Sequence, residues 1–279
     1  MTMDLPTLAK QSGFQVLPGQ PGSAAAAGLA CRDTVYASFP GFSKMFEGYT
    51  TFMYTDAKGL VTTGVGNLCD PVGIAQGLPW QHTDGSAASS SDVQAAFSAV
   101  KAAYPGVQSL ACAKLTTIRL TIPTIEKMVR GKMLENDRYF ASNFSGFGSW
   151  PADAQLALHS MGWAMGPAFN FPQFKTACVA QEFTTAAANC HMKGIGIDLR
   201  NAANVLLFQN AATVKSQNLD ASRLWFLDSP SGSGGSGGGG SAFGSGLALA
   251  AAITAALGLG LYAAHHAAAS MRVPRAARA

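Results

Sequence analysis

Apolar residues recur every three or four positions through much of the chain, which is the spacing of helices that bury one face. Segments with this spacing follow residue 91, at 92–103, 124–136, 152–165, 174–190 and 200–214. An earlier segment, 42–47, has the character of a helix end that Gly48 stops. The pattern therefore predicts that the chain beyond residue 91 is mainly helical.

A different pattern occupies residues 49–64. Two short runs, 49–54 and 60–64, are rich in β-branched and aromatic residues, and the turn sequence Asp56-Ala57-Lys58-Gly59 lies between them. This arrangement predicts a β-hairpin in which Gly59 supplies a positive φ. One short hairpin followed by a run of helices indicates the α+β class.

The end of the chain shows a third pattern. Residues 229–241 consist only of Gly, Ser and Pro, which predicts a flexible tether because such a segment can bury almost nothing. Residues 247–264 are 18 residues without a charge, about 27 Å of helix against the ~30 Å apolar core of a bilayer. We expect this segment to span a membrane, with the arginines after it on the cytoplasmic side. The alternative is an alanine-rich helix that docks on protein or lies at a membrane interface.

These boundaries divide the chain into five segments. They are an N-terminal extension (1–36), a folded domain (37–228), the Gly/Ser linker (229–245), the predicted transmembrane helix (246–266) and a basic tail (267–279). The first 22 residues lack the basic start and the apolar run of a signal peptide. We therefore expect synthesis in the cytoplasm and export by another route.

Composition and charge exclude several classes of protein. With 48% hydrophobic and 12% charged residues, the chain is neither disordered nor a coiled coil. The net charge is +4, but residues 229–279 hold three arginines and no Asp or Glu, so residues 1–228 carry only +1. A nearly neutral domain gives no electrostatic reason to expect nucleic acid as a partner.

The five cysteines are too few and too scattered for a disulfide scaffold, and the chain has no CxxC or HxxxH spacing. We therefore expect no metal and no cofactor. Cys178 and Cys190 are either a disulfide formed across a helix break or two buried free thiols. Cys190 also adjoins His191, but adjacent helical residues point about 100° apart and cannot make a nucleophile–base contact.

Candidate chemistry is concentrated around the hairpin. Glu47 stands where a helix meets the first strand, Asp56 opens the turn, and Thr62 lies on the returning strand. Because the two strands fold back on each other, these three residues can face one cleft. A Glu, an Asp and a hydroxyl suit glycoside hydrolysis, in which one carboxylic acid protonates the leaving oxygen and one carboxylate directs water or stabilises the oxocarbenium-like centre.

The same residues carry a resemblance to a known family. Residues 47–66 are EGYTTFMYTDAKGLVTTGVG, which contains Glu-Gly at a helix end, then Tyr-x-Asp, then Gly-x-x-Thr-x-Gly-x-Gly without a gap. This pattern resembles the catalytic hairpin of the phage-type, T4-lysozyme-like muramidases. The resemblance covers about residues 37–226, with specific motifs only in 46–66. It implies a two-lobed lysozyme-like fold, with Glu47 as general acid, Asp56 as the carboxylate that activates or orients water, and Thr62 as the hydroxyl that holds that water.

The chain departs from the family pattern in two places, the late helix and the segment 70–115. The late helix of the family often contains Asn-Arg-Ala, whose arginine pairs with the catalytic Glu, but Ala202 stands at that place here, and Arg200 is the candidate substitute. The segment 70–115 is longer than the compact phage enzymes need. Trp80 and Tyr104, within this segment, either line a sugar subsite or pack in the core.

The resemblance implies hydrolysis of the β-1,4 bond between N-acetylmuramic acid and N-acetylglucosamine, with inversion. The expected partner is then a peptidoglycan glycan strand in the periplasm or cell wall. The expected setting is a secreted antibacterial effector or a phage endolysin, with an immunity protein or an export machinery as a further partner. The competing class is a glycan-binding or membrane-anchored structural module that keeps the fold without turnover.

Overall fold

The structure is a computed structural model that describes residues 4–194 and 196–228. Within these residues the chain forms ten α-helices and one three-stranded antiparallel sheet, the α+β class that the sequence pattern predicts. The helices are α1 (Leu5–Ser12), α2 (Ser23–Ala26), α3 (Asp33–Glu47), α4 (Val72–Gln76), α5 (Ser90–Ala103), α6 (Ile122–Asn143), α7 (Ala152–Met165), α8 (Pro172–Val179), α9 (Phe183–Asn189) and α10 (Asp198–Ser216). The strands are β1 (Thr50–Thr55), β2 (Val61–Gly64) and β3 (Asn67–Leu68).

The predicted tether, transmembrane helix and basic tail (229–279) lie outside the described residues. In the part of the chain that the structure covers, no helix combines the length and the apolar character needed to cross a bilayer. Membrane contact through residues 247–264 stays a prediction.

The hairpin forms where the sequence predicts it. Strand β1 pairs with β2 so that Tyr54 lies opposite Thr62, and the turn is closed by the amide of Asp56, which donates to the Leu60 carbonyl at 2.9 Å. Gly59 has a φ of 74°, the left-handed conformation expected of it. The short strand β3, which the sequence pattern does not predict, pairs with β2 on its other side.

Helix α7 is the centre of the helical part. Every residue from Ala152 to Trp163 is buried, and α3, α6 and α10 pack on this helix. Helix α3 ends at Glu47, as predicted, because Gly48 adopts a φ of 66° and donates its amide to the Lys44 carbonyl. The fold thereby sets Glu47 at the junction between the helical body and the sheet.

The prediction of one helix over 174–190 is wrong. The structure has two short helices, α8 and α9, separated at residues 180–182. Gln181 takes a φ of 55° there, and Glu182 donates its amide to the Ala177 carbonyl at 2.8 Å. The bend lets Phe174 and Phe183 both pack on Phe208 of α10, with ring centroids 5.3 and 6.5 Å away.

The described part of the N-terminal extension shares the core of the domain. The ring of Phe14, just after α1, packs edge-on against Phe42 of α3 and Phe226 near the end of the described chain, at 6.0 and 5.7 Å. Ala9 and Ala24 of the first two helices are buried in the same core.

Candidate active site

Glu47 lies in a nearly closed environment beside a buried arginine. Its side chain is 7% exposed, and its Oε1 accepts a hydrogen bond from Nη2 of Arg200 at 2.5 Å. Burial raises the pKa of Glu47 above its ordinary value of 4.5, and the positive charge of Arg200 opposes that rise. Glu47 therefore keeps its proton to a higher pH than an exposed glutamate, which suits a proton donor.

Arg200 is held on three sides. Besides the Glu47 pair, its Nη1 donates to the Ser160 carbonyl of α7 at 3.3 Å, and its guanidinium lies 4.7 Å from the ring centroid of Phe46. The side chain is 1% exposed. The charge partner that Ala202 cannot supply is thus provided by Arg200, two residues earlier on α10.

Asp56 presents one oxygen to the turn and leaves the other free. Its Oδ1 accepts from the amides of Lys58 and Leu60 at 2.8 and 2.9 Å, which fixes the carboxylate against the hairpin turn. Its Oδ2 is buried and has no hydrogen-bond partner among the described residues. A buried carboxylate oxygen without a partner is a place where a water molecule or a substrate hydroxyl can bind.

Thr62 and Tyr54 lie on the two paired strands of the hairpin that ends in the Asp56 turn. Since Tyr54 lies directly opposite Thr62 and two residues before Asp56, the three side chains share one face of the hairpin. Burial raises the pKa of Tyr54 to about 12, and the nearby charges of Glu47 and Asp56 add to this rise. The Thr62 hydroxyl donates to the backbone carbonyl of Tyr54 at 3.3 Å. Tyr54 is thus tied to Thr62 through its backbone, and its phenol is close enough to Glu47 and Asp56 for their charges to raise its pKa.

Tyr54 is the residue of this site to which the sequence analysis assigns no role. The signal was present in the sequence, because Tyr54 begins the Tyr-x-Asp part of the hairpin motif. Tyr54 and Asp56 are two positions apart in an extended segment, so the sequence places both side chains on the same face of the hairpin.

Trp80 is a core residue. Its ring is 2% exposed, and its indole N–H donates to the Ala75 carbonyl at 2.9 Å. A ring so enclosed cannot stack on a sugar unless the core opens, so the subsite alternative for Trp80 fails and the packing alternative holds.

Tyr104 covers the hairpin turn. Its hydroxyl donates to the Ala57 carbonyl at 3.0 Å, and its ring lies so close to Gly59 that a Cβ at that position would be 2.9 Å from it. Lys101, on the same helix end, donates to the Gly59 carbonyl at 2.8 Å. The role that the structure supports for Tyr104 is to hold the turn that begins at Asp56.

All five cysteines are buried free thiols. Of the two alternatives for Cys178 and Cys190, the structure has the free thiols, although the helix break between them is present. Within residues 4–194 and 196–228, one group of side chains has the composition and spacing to hold a metal ion, namely Cys31, Asp137 and His159. None of the three belongs to the candidate active site.

No family model, curated protein or solved structure matches the chain. The likeness to phage-type muramidases therefore depends on the hairpin motif of residues 47–66, and a function has to be argued from the chemistry of the site.

Proposed function

We propose that the folded domain is a peptidoglycan hydrolase, an N-acetylmuramidase on a two-lobed lysozyme-like fold. The observation that carries the proposal is the buried carboxyl group of Glu47, whose pKa is raised by burial, next to a hairpin in which one Asp56 oxygen has no hydrogen-bond partner among the described residues. Two carboxyl groups in unlike environments are the requirement for acid–base cleavage of a glycosidic bond.

Glu47 acts as the general acid. It transfers its proton to the glycosidic oxygen as the bond from that oxygen to the anomeric carbon breaks. The carboxylate that remains is stabilised by the guanidinium of Arg200, which already lies 2.5 Å from Oε1. Water from solvent restores the proton after the leaving sugar departs.

Asp56 and Thr62 orient the attacking water. The free Oδ2 of Asp56 accepts one proton of this water. The Thr62 hydroxyl, whose own proton goes to the Tyr54 carbonyl, accepts the other. The water oxygen bonds to the anomeric carbon on the face opposite the leaving group, so the configuration inverts. Tyr54 supports the arrangement through its backbone carbonyl, which accepts from the Thr62 hydroxyl at 3.3 Å.

The second candidate function is a glycan-binding module without turnover. The observation in its favour is the small exposure of the site, because Asp56 and Thr62 are only 2% and 3% exposed. A glycan reaches these groups only if the elements that cover the hairpin move away from it. Hydrolysis therefore requires a conformational step that binding at the rim does not.

Digestion of purified murein by the full chain separates the two functions. The muramidase predicts new reducing ends on N-acetylmuramic acid, released first as the α-anomer that inversion produces. Reducing ends on N-acetylglucosamine, or a β-anomer, would contradict the assignment. Retention of the protein on murein with no reducing ends would favour the binding module.

The wider setting follows from this proposal. A muramidase acts on the periplasmic side of a cell envelope, as a secreted effector or as an endolysin, and membrane contact would place it near its substrate. A neighbouring immunity gene would support the effector, and a neighbouring holin gene would support the endolysin.

A further inference from the structure

Three buried side chains with metal-binding atoms meet at a point that the proposed reaction does not use. Cys31 precedes α3, Asp137 lies on α6 and His159 on α7, and their ligand atoms are all within 4.8 Å of one another. Cys31 is 5% exposed, and the side chains of Asp137 and His159 are 1% and 0% exposed. We propose that these three residues bind a divalent transition-metal ion of the zinc class.

The donor set fits such an ion. A thiolate sulfur, an imidazole nitrogen and a carboxylate oxygen bind Zn²⁺ at about 2.0–2.3 Å, so two ligands of one tetrahedral ion lie about 3.3–3.8 Å apart. Nε2 of His159 is already 3.2 Å from Oδ2 of Asp137. Small movements of the side chains bring all three donors to bonding distance.

A hydrogen-bonded structural anchor is the competing interpretation. The Asp137 carboxylate accepts from the amides of Ala30 and Cys31 at 2.6 and 3.2 Å and from His159. This network leaves Nδ1 of His159 buried with no hydrogen-bond partner among the described residues. The two interpretations differ at Nε2 of His159, which is hydrogen-bonded to Asp137 in the anchor and is bonded to the ion in the metal site.

A thiol enzyme is a poorer interpretation of the same cluster. Asp137 accepts from the backbone amide of Cys31 and is bonded to Nε2 of His159, so among the described residues no hydrogen bond joins the thiol to the imidazole. A nucleophilic cysteine needs the imidazole as its own hydrogen-bond partner.

A surface cavity borders Cys31, one of the three proposed ligands. This cavity of about 440 Å³ is lined by Ala30 and Cys31, together with residues of the N-terminal segment, Gly148 and Ser222. A site with three protein ligands keeps its fourth position for water, and this cavity is a source of that water. A bound ion would join the loop before α3 to α6 and α7.

Cobalt spectroscopy on the metal-free full chain tests the proposal. After treatment with a chelator, the protein is titrated with Co²⁺, and Zn²⁺ is then added as competitor. We expect one Co²⁺ per chain, a thiolate-to-cobalt charge-transfer band, loss of that band on adding Zn²⁺, and a higher Tm in the metal-loaded protein.

The variant Cys31→Ser is expected to lose the charge-transfer band and to bind Zn²⁺ at least tenfold more weakly. Cys112→Ser is the matched control, because Cys112 is also a buried free thiol but lies outside the cluster. Cobalt bound without a thiolate band in the wild-type chain, or no cobalt bound at one equivalent, would overturn the proposal. The wild-type spectrum decides the question even if Cys31→Ser fails to fold.

Discussion

Two opposing influences act on the carboxyl group of Glu47. Burial favours its neutral form, whereas the guanidinium of Arg200 favours its charged form, and burial is the larger of the two. The pKa of Glu47 is therefore raised, but by less than burial alone would raise it, since the arginine stabilises the carboxylate that remains after proton transfer.

Replacement of Arg200 by Gln tests this balance. Without the positive charge the pKa of Glu47 rises further, so the alkaline fall of the pH–rate profile for murein hydrolysis moves to higher pH. Stability decreases by about 3–5 kcal/mol at alkaline pH, where Glu47 is an unpaired buried carboxylate, and by less at acidic pH, where it is neutral.

Arg200→Lys keeps the charge and is expected to restore the wild-type pH profile in part. Arg223→Gln is the control, because Arg223 is an exposed arginine whose ion pair lies outside the site. An alkaline limb that stays in place in Arg200→Gln would show that Arg200 does not set the pKa of Glu47.

Among the secondary-structure elements, α5 has a specific task at the hairpin. Lys101 donates to the Gly59 carbonyl and forms an ion pair with Asp70 at 2.5 Å, while Asp70 accepts from the amide of Val61. Together with Tyr104, these contacts hold the turn that fixes Asp56. The extra length of segment 70–115 thus supports the site without contributing a sugar-binding surface at Trp80.

Lys101→Met is expected to loosen the turn and lower the rate of murein hydrolysis several-fold. The free energy of unfolding should change by only about 1 kcal/mol, because the ion pair is partly exposed. Hydrogen exchange should show reduced protection of the Lys58 and Leu60 amides, which donate to Asp56.

Lys132→Met is the matched control, since Lys132 is an exposed lysine paired with Glu135. Unchanged exchange at Lys58 and Leu60 in Lys101→Met would mean that α5 does not hold the turn.

The sequence predicts correctly those elements whose ends are marked locally by proline, by glycine or by a change in apolar spacing. The helix 152–165 and the helix end at Gly48 agree with the structure because proline, glycine and apolar spacing define them locally. The break between α8 and α9 was missed, since residues 180–182 contain neither glycine nor proline. It arises from the packing of Phe174 and Phe183 on Phe208, which is tertiary information.

For the whole molecule, contacts between distant parts of the chain were the hardest to predict. Arg200 pairs with a residue 153 positions away, and only the family pattern suggested a partner for Glu47. The cluster of Cys31, Asp137 and His159 joins residues 106 and 22 positions apart, so no motif of fixed local spacing could reveal it. Motifs of fixed spacing, such as CxxC and HxxxH, are absent from the chain, so they indicate no metal.

Asp153 also joins distant parts of the chain, and its ionisation makes the free energy of unfolding depend on pH. It accepts from Asn210 of α10 at 3.0 Å and from the amide of Trp225 at 2.9 Å. Burial raises its pKa from 3.8 to about 7, against the effect of these hydrogen bonds. Between these two values the folded state binds more protons than the unfolded state, so stability falls as pH rises.

Asp153→Asn is expected to remove this part of the pH dependence. At its largest the contribution is about 4 kcal/mol, and it is present at pH 4 and lost above pH 7. Urea unfolding at pH 5 and pH 8 measures it, with Glu135→Gln as an exposed-carboxylate control. An equal pH dependence in Asp153→Asn and wild type would contradict the assignment.

The central claim is that Glu47 supplies the proton for glycosidic cleavage. Its most direct test is the rate of reducing-end release from purified murein by Glu47→Gln, beside Glu135→Gln, whose glutamate side chain is 67% exposed. We predict that Glu47→Gln folds with a lowered Tm, because the buried guanidinium of Arg200 loses its carboxylate partner, still binds murein and loses activity by about 10²–10⁴-fold, while Glu135→Gln keeps wild-type activity. A folded Glu47→Gln protein that releases reducing ends at the wild-type rate would contradict the claim.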